Sequence, residues 1–452
     1  MDPYFARFEQ SIDVAANLFH SHFAEEATRA GETDEPNDNE GERSAQPDDD
    51  NEEVDDDDES VKAKATAVEP ASRGAQKQYS LIEARHIGYT AILLFARDAS
   101  RIHSVQEAEV GFGAAEMGNK GAIALRILHG DTQDDSTELT FVATHLAAME
   151  WNLSKRNENW ASIMKNMAFE NPMKILNAAK GRTSEDGGED DENAGDESSR
   201  LLENQVAIDD EQLQRKFHNI SVFKPTSHLF VGGDLNYRIS TTSPQPDSPF
   251  PNMDEESPDY YPAFFCMDQL TREKSHGRTL HGMTEHPVHF PPTYKYVIQS
   301  GKVNKTNKLE PVPWKFATHR YPSWTDRILY LDVPPWVNDG SGEELLMDVR
   351  AYDAMPVVRT SDHRPVFLRV SVPVVTPEQM MSGQDPESLD PRVKAPVEID
   401  PQAWERRSAA RDREMALGWS TFLWGTTEGA IILGSLLVAG LGGFWLYQHY
   451  QG

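Results

Sequence analysis

Gly232-Gly233-Asp234-Leu235-Asn236-Tyr237-Arg238, Pro322-Ser323-Trp324-Thr325-Asp326-Arg327 and Ser361-Asp362-His363-Arg364-Pro365 are the three runs on which the reading of this chain turns. Each sets a carboxylate or a histidine just after or within an apolar stretch. Leu229-Phe230-Val231, Ile328-Leu329-Tyr330-Leu331 and Val366-Phe367-Leu368 read as buried strands, so the polar residues collect where strands meet loops. Three acids, an amide and an imidazole then converge at the edge of a packed α/β sheet.

Such a set suits metal-assisted hydrolysis of a phosphate ester. The Asp362 carboxylate can hold Mg²⁺, a hard cation that takes oxygen ligands and leaves positions for phosphate oxygens. Asp234 can accept a proton from attacking water. Asn236 can hold water or phosphate without adding negative charge, and His363, oriented by Asp326, offers a charged donor to the developing phosphorane. Lys120, in Gly118-Asn119-Lys120-Gly121, sits where the N–H groups of a Gly-rich turn and an ammonium both face a phosphate. Taken alone, that lysine reads more simply as a surface turn residue.

Thr144-His145-Leu146-Ala147-Ala148 and Phe290-Pro291-Pro292-Thr293-Tyr294-Lys295-Tyr296 join these runs in order between about Tyr79 and Val372. Together they resemble the signature of the inositol polyphosphate 5-phosphatases, within the endonuclease/exonuclease/phosphatase superfamily. The resemblance implies a four-layer α/β sandwich, two packed β-sheets flanked by helices. It implies Mg²⁺-dependent removal of the 5-phosphate from phosphoinositides such as phosphatidylinositol 4,5-bisphosphate. It places His145 beside the scissile phosphate, and Tyr294 and Lys295 on the ring 4-phosphate, where a charged hydrogen bond is worth roughly 1.5–3 kcal/mol. Arg320, Arg327 and Arg238 either add positive field or hold the acids in place, and Arg327 reads equally well as the structural partner of a loop carbonyl.

The chain departs from that pattern at its start. The family's opening strand with an Asn in Thr-Trp-Asn, and the Gln-Glu pair whose Glu is the principal metal ligand, have no counterpart in order. Met1 begins a segment in which Phe5, Phe8, Ile12, Ala15, Phe19 and Phe23 are spaced like one buried helix face. Gln106-Glu107 has the right letters but follows the strand expected at Ile87 to Phe95. Thr318 stands where the family usually carries a 4-phosphate lysine, with Lys315 nearby as a substitute. The expectation is therefore either an incomplete gene product of an active enzyme or an impaired phosphatase that still binds phosphoinositides.

Composition says little about the site. The formal charge is −31, but the segments Glu32 to Glu59 and Thr183 to Glu211 together carry −26 of it. Both are poor in apolar residues and read as disordered, solvating insertions. Cys266 is the single cysteine, so no disulfide framework exists and a reducing compartment is expected. The thiol itself reads as a small buried hydrophobe in Phe264-Phe265-Cys266-Met267.

At the other end, Gly429 to Tyr447 is a 19-residue run without a charge. As a helix it would span about 28 Å, close to the hydrocarbon core of a bilayer. Five residues follow it, which suggests a single-pass tail anchor with the globular part cytosolic. Trp419, Trp424, Trp445 and Tyr447 suit interfaces, and Arg406, Arg407, Arg411 and Arg413 lie upstream. That Arg cluster reads equally as a solvated helix face or as a contact with anionic lipid. The modest length and the glycines favour the thinner endoplasmic reticulum membrane.

Between these landmarks the sequence predicts a helix at 1–23, an acidic insertion at 24–78 and a catalytic domain at 79–372 with a second acidic insertion at about 171–220. A linker and juxtamembrane segment at 373–424 precedes the span at 429–447. His86 to Arg97 and Ala122 to Leu128 read as strands paired around the Gly118 turn, Leu153 to Phe169 as a helix, and Tyr260 to Arg272 as another. The resulting expectation is a monomeric, tail-anchored phosphoinositide 5-phosphatase acting on a lipid substrate at a membrane. A superfamily nuclease is disfavoured, since no concentrated Lys/Arg stripe marks a nucleic-acid groove.

Overall fold

The computed structural model describes residues 11–12, 78–113, 117–118, 120–185, 210–301, 304, 307, 310–338 and 344–451. The helix expected at 1–23, apart from Ser11 and Ile12, lies outside these residues, as do nearly all of the acidic stretch at 24–78 and Asn119. Two units divide the chain, one of Met1–Glu83 with Leu93–Ala99, the other of Ala84–Ile92 with Ser100–Gly452. In the first, the described residues include the start of strand β1 (Ser80–Ile87) and the end of strand β2 (Thr90–Ala96), which form a two-stranded sheet. The second holds everything that follows.

Its centre is a five-stranded sheet in the order β3-β4-β5-β6-β9, with β3 Ile102–Gly111, β4 Gly121–Gly130, β5 Ser136–His145, β6 Ser227–Asp234 and β9 Asp326–Tyr330. All neighbours are antiparallel except β5 and β6, which run parallel. One face carries Ala108, Val110, Ala122, Ala124, Val142, Leu229, Val231 and Leu329 against helix α1 (Leu153–Asn166), whose Trp160, Ile163 and Met164 face the sheet. The strands alternate and the helix repeats at its own period, so each buries one side. A second apolar cluster gathers around Trp324, where Tyr261, Phe264 and Phe290 meet Tyr352 and Val366 of the two-stranded sheet β10 (Asp348–Ala354) and β11 (Val366–Ser371). β7 (Tyr296–Ile298) and β8 (Trp314–Phe316) make a further short pair. The molecule is mixed α/β, with several packed sheets flanked by helices, as expected.

Several elements differ from the sequence reading in detail. The strand that pairs with β4 across the Gly118 turn is β3, not His86 to Arg97, which folds on itself at Gly88-Tyr89 as β1 and β2. β3 carries a weak strand signal in the sequence, because Ser104, Gln106 and Glu107 interrupt its apolar residues. The helix expected at Tyr260 to Arg272 is a 3₁₀ turn, Tyr261–Met267, then helix α4 (Gln269–Ser275), broken where Asp268 caps the second through the Thr271 N–H. In the tighter 3₁₀ spacing Tyr261 and Phe264 point inward and Cys266 is exposed, contrary to the buried thiol expected. Helix α2 (Pro172–Glu185) and helix α3 (210–220) occupy the two ends of the expected second insertion. Residues 186–209 lie outside the described set.

Helix α5 (Pro377–Met381) opens with a capping box on Thr376. Helix α6 (Ala403–Gly425) leads through Thr426 into helix α7 (Thr427–Gln451). Among the described residues, α7 is the one helix long and apolar enough to cross a membrane.

Candidate active site

Strand register assembles the polar residues. The parallel pairing of β5 and β6 puts His145 opposite Asp234, and the antiparallel pairing of β6 and β9 puts Asp234 opposite Asp326. Three adjacent strand ends thus carry three functional side chains in one row. The row needs Gly233, at φ 136°, because a Cβ there would lie 2.1 Å from the Thr144 carbonyl oxygen. Just beyond, Asn236 takes a left-handed φ of 58°, which Asn tolerates better than most residues, while the Leu235 N–H donates to the Thr325 carbonyl at 2.7 Å. His363 arrives from the loop before β11, which is anchored by the Tyr294–His363 bridge and by the Arg364 N–H on the Thr293 carbonyl at 2.9 Å.

The side chains then form one hydrogen-bonded network. His363 Nδ1 lies 2.8 Å from Asp326 Oδ2, which also accepts from Thr293 Oγ1 at 2.7 Å and Thr325 Oγ1 at 2.8 Å. His145 Nε2 is 3.2 Å from Asp234 Oδ2, and the Asn236 side chain donates to that same oxygen at 2.9 Å. Arg238 donates to the Asn236 side-chain oxygen and stacks over the Tyr294 ring at 4.2 Å. Lys120 Nζ contacts His145 Nε2. Lys295 Nζ donates to Asp362 Oδ2 at 2.8 Å.

Electrostatics separate the two central acids. Burial alone would raise Asp234, but the hydrogen bond from His145 and the charges of His363, His145 and Arg238 hold it below the usual carboxylate range. Burial raises Asp326, and the nearby Asp234 adds to this against the pull of His363. For His363 burial opposes the charge, yet the hydrogen bond and charge of Asp326, with Asp234 and Asp362, lift its pKa above the ordinary value. The row therefore holds Asp234 below the usual carboxylate range beside an imidazole lifted above its ordinary value. Burial lowers the Lys120 pKa, with Arg238 adding to the effect and Asp234 opposing it. Lys295 is raised, chiefly by its hydrogen bond to Asp362.

The donor set fits a hard divalent cation. Ligand atoms of Asp234, Asp326 and His363 lie within 4.8 Å of one another, the one such group among the described residues. Its two carboxylates offer the oxygens that Mg²⁺ prefers, and so small a protein set leaves room for water and phosphate. Asp362, the ligand expected from sequence, stands outside this trio. One of its oxygens is engaged by Lys295 and the other lies 4.0 Å from His363 Nε2. Glu107 pairs with Arg85 and is not part of the group.

Two arginines named for substrate contact have other partners. Arg327 is fully buried and bonds Asp268 at 3.2 Å and Glu285 at 2.7 Å, so its guanidinium is taken up by enclosed acids. It also donates to the Trp324 carbonyl at 3.4 Å, the loop-carbonyl role allowed for in the sequence. Arg320 is ion-paired with the buried Glu150. Thr293 and Thr325, which fix the Asp326 carboxylate, were missed as functional residues. Their only signal was position, each being a hydroxyl next to a residue already singled out.

Comparison with known proteins bears on this arrangement. The family model for endonuclease/exonuclease/phosphatase family 2 matches residues 59–369. Synaptojanin of Caenorhabditis elegans is 28 % identical over 292 residues, covering 64 % of this chain and 19 % of the worm protein. Inositol-1,4,5-trisphosphate 5-phosphatase 1 of Schizosaccharomyces pombe is 26 % identical over 291 residues, covering 63 % of this chain and 19 % of that protein. The chain thus spans about a fifth of the length of these relatives. A solved inositol polyphosphate 5-phosphatase domain of a synaptojanin, in complex with inositol (1,4)-bisphosphate and calcium, aligns over 74 % of this chain and 71 % of its own at 23 % identity and a TM-score of 0.39.

Proposed function

The chain belongs to the endonuclease/exonuclease/phosphatase family 2, on its inositol polyphosphate 5-phosphatase branch, and from that premise we propose that it removes the 5-phosphate of phosphoinositides at a cytosolic membrane face. The observation that carries this reading is the row His145, Asp234 and Asp326 on adjacent strand ends, with His363 bonded to Asp326. An ionised Asp234 is placed to accept the proton of an attacking water. Protonated His363 is placed to donate to the phosphate oxygens as charge builds on them, and Asp326 holds its ring through Nδ1. Asn236, held by Arg238 and by Asp234, orients water or phosphate without adding charge. Lys120 contacts His145, which contacts Asp234, and the two would supply donors to the scissile phosphate.

A divalent cation, Mg²⁺ in this reading, would be held by Asp234 and Asp326 and would offset the charge of the phosphate oxygens. Asp362 serves in that case through Lys295, which it holds beside Tyr294, where the pair is suited to grip a ring 4-phosphate. The lipid form of the substrate is favoured by α7, read as a tail anchor in the endoplasmic reticulum membrane, because tethering raises the local concentration of a lipid substrate.

The deciding experiment measures phosphate release by the full chain from phosphatidylinositol 4,5-bisphosphate vesicles, with Mg²⁺ and with a chelator. Mg²⁺-dependent release of the 5-phosphate is expected. No release, with retained binding to the vesicles, would replace the enzyme by a phosphoinositide-binding membrane protein; cleavage of DNA or RNA instead would replace it by a nuclease.

A further inference from the structure

Helix α6 does more than lead to the membrane span. Ala403, Arg407 and Ala410 are buried along one face of it, and Glu414 continues that stripe at helical spacing. Arg407 Nε donates to Glu109 Oε1 of β3 at 2.8 Å, and Arg411 Nη2 joins the same carboxylate at 2.6 Å. A cavity of about 290 Å³ lined by Glu107, Glu109, Ala403 and Arg407 lies in this seam, so the docking leans on ion pairs rather than on close apolar packing. Glu414 completes it. Its Oε1 accepts from the Gly118 N–H at 2.5 Å and from Arg407 Nη1 at 2.9 Å. Beyond Glu414 the helix stands clear, with Met415, Leu417, Trp419 and Trp424 exposed.

Gly118 belongs to the turn that carries Lys120. The turn is fastened from two other sides, by the Phe112 N–H on the Lys120 carbonyl at 2.8 Å and by Ile87, whose Cγ1 would lie 2.3 Å from a Cβ at position 118. A side chain at position 118 would collide with Ile87, so glycine keeps the turn close to that residue while its N–H meets the helix carboxylate. We infer that Glu414 is a positioning residue for the reaction: by holding the Gly118 amide it sets the turn that presents Lys120. This inference rests on the phosphatase reading above.

The test compares the full chain with E414A and E414Q, in phosphatidylcholine vesicles containing phosphatidylinositol 4,5-bisphosphate. Two quantities are read: hydrogen exchange of the peptide containing Gly118, and the rate of phosphate release. E414A is expected to exchange about ten-fold faster there, with β6 peptides unchanged, and to lose about ten-fold in hydrolysis. E414Q keeps an oxygen for the Gly118 N–H and should restore most of both, which a general loss of packing would not produce. Unchanged exchange in E414A overturns the tether, and faster exchange with undiminished hydrolysis overturns the positioning role. A wild-type chain that releases no phosphate sinks the phosphatase reading instead, and the exchange comparison alone then decides the tether.

Discussion

His363 Nδ1 and Asp326 Oδ2 are 2.8 Å apart, and that same oxygen takes the hydroxyls of Thr293 and Thr325. Three groups from two chain segments, Thr293 and Thr325-Asp326, thus lock one imidazole. The lock lifts the pKa of the ring above its ordinary value, since Asp326 supplies the main influence opposing the burial that would lower it. The same lock aims Nε2 away from Asp326, toward the side on which Asp362 stands.

A pH dependence follows. With a folded pKa above the ordinary value of 6.5, His363 is charged at low pH and loses its proton as pH rises through the raised value. Hydrolysis should fall along that alkaline limb. D326N removes the partner that raises the pKa and should move the limb to lower pH. Rate profiles of wild type and variant decide it; superimposable alkaline limbs would remove His363 from the role of charged donor.

Arg327 yields the opposite kind of prediction, on stability rather than catalysis. Its guanidinium is enclosed with Asp268 and Glu285, whose carboxylates would stay buried without it. Arg327→Met should cost about 3–5 kcal/mol, because breaking a buried pair strands the remaining charges. Denaturant unfolding measures the loss. A variant as stable as wild type but defective in substrate binding would return Arg327 to the cleft.

His228 sets an acid limit. It is buried in β6, neither ring nitrogen has a hydrogen-bond partner, and burial together with the charge of Arg392 brings its pKa down to about 4. Between its ordinary value of 6.5 and about 4 the unfolded chain binds the proton and the folded chain does not. Stability should therefore decline as pH falls through that window, by roughly 3 kcal/mol from this group. H228L should flatten the decline when melting temperature is followed against pH, and an equally steep fall in the variant would place the acid sensitivity elsewhere.

The membrane reading is tested in cells. A fluorescent fusion at the N-terminus should label the endoplasmic reticulum, and removal of residues 427–452 should make it diffuse. A glycosylation acceptor placed after Gly452 should be modified if α7 spans the bilayer. A membrane-bound fusion with an unmodified acceptor would mean that the helix lies on the surface instead.

From sequence alone came the runs that matter and their chemistry. Apolar triplets such as Leu229-Phe230-Val231 mark buried strands, and a carboxylate at the end of one lies at a strand edge whatever the rest of the chain does. The uncharged run from Gly429 was equally legible, because helix length and absence of charge are local properties. Which strand ends are neighbours is not local. Only the tertiary structure set β6 parallel to β5 and antiparallel to β9, bringing His145, Asp234 and Asp326 into one row. Only long-range packing decided that Arg327 lies among buried acids, that Asp362 is taken up by Lys295, and that Cys266 turns outward from a 3₁₀ turn. The contact between Glu414 and Gly118 spans 296 residues. Periodicity tells which face of an element is buried, but the partner on that face is chosen by shape and charge among all the others, and spacing along the chain carries no record of it.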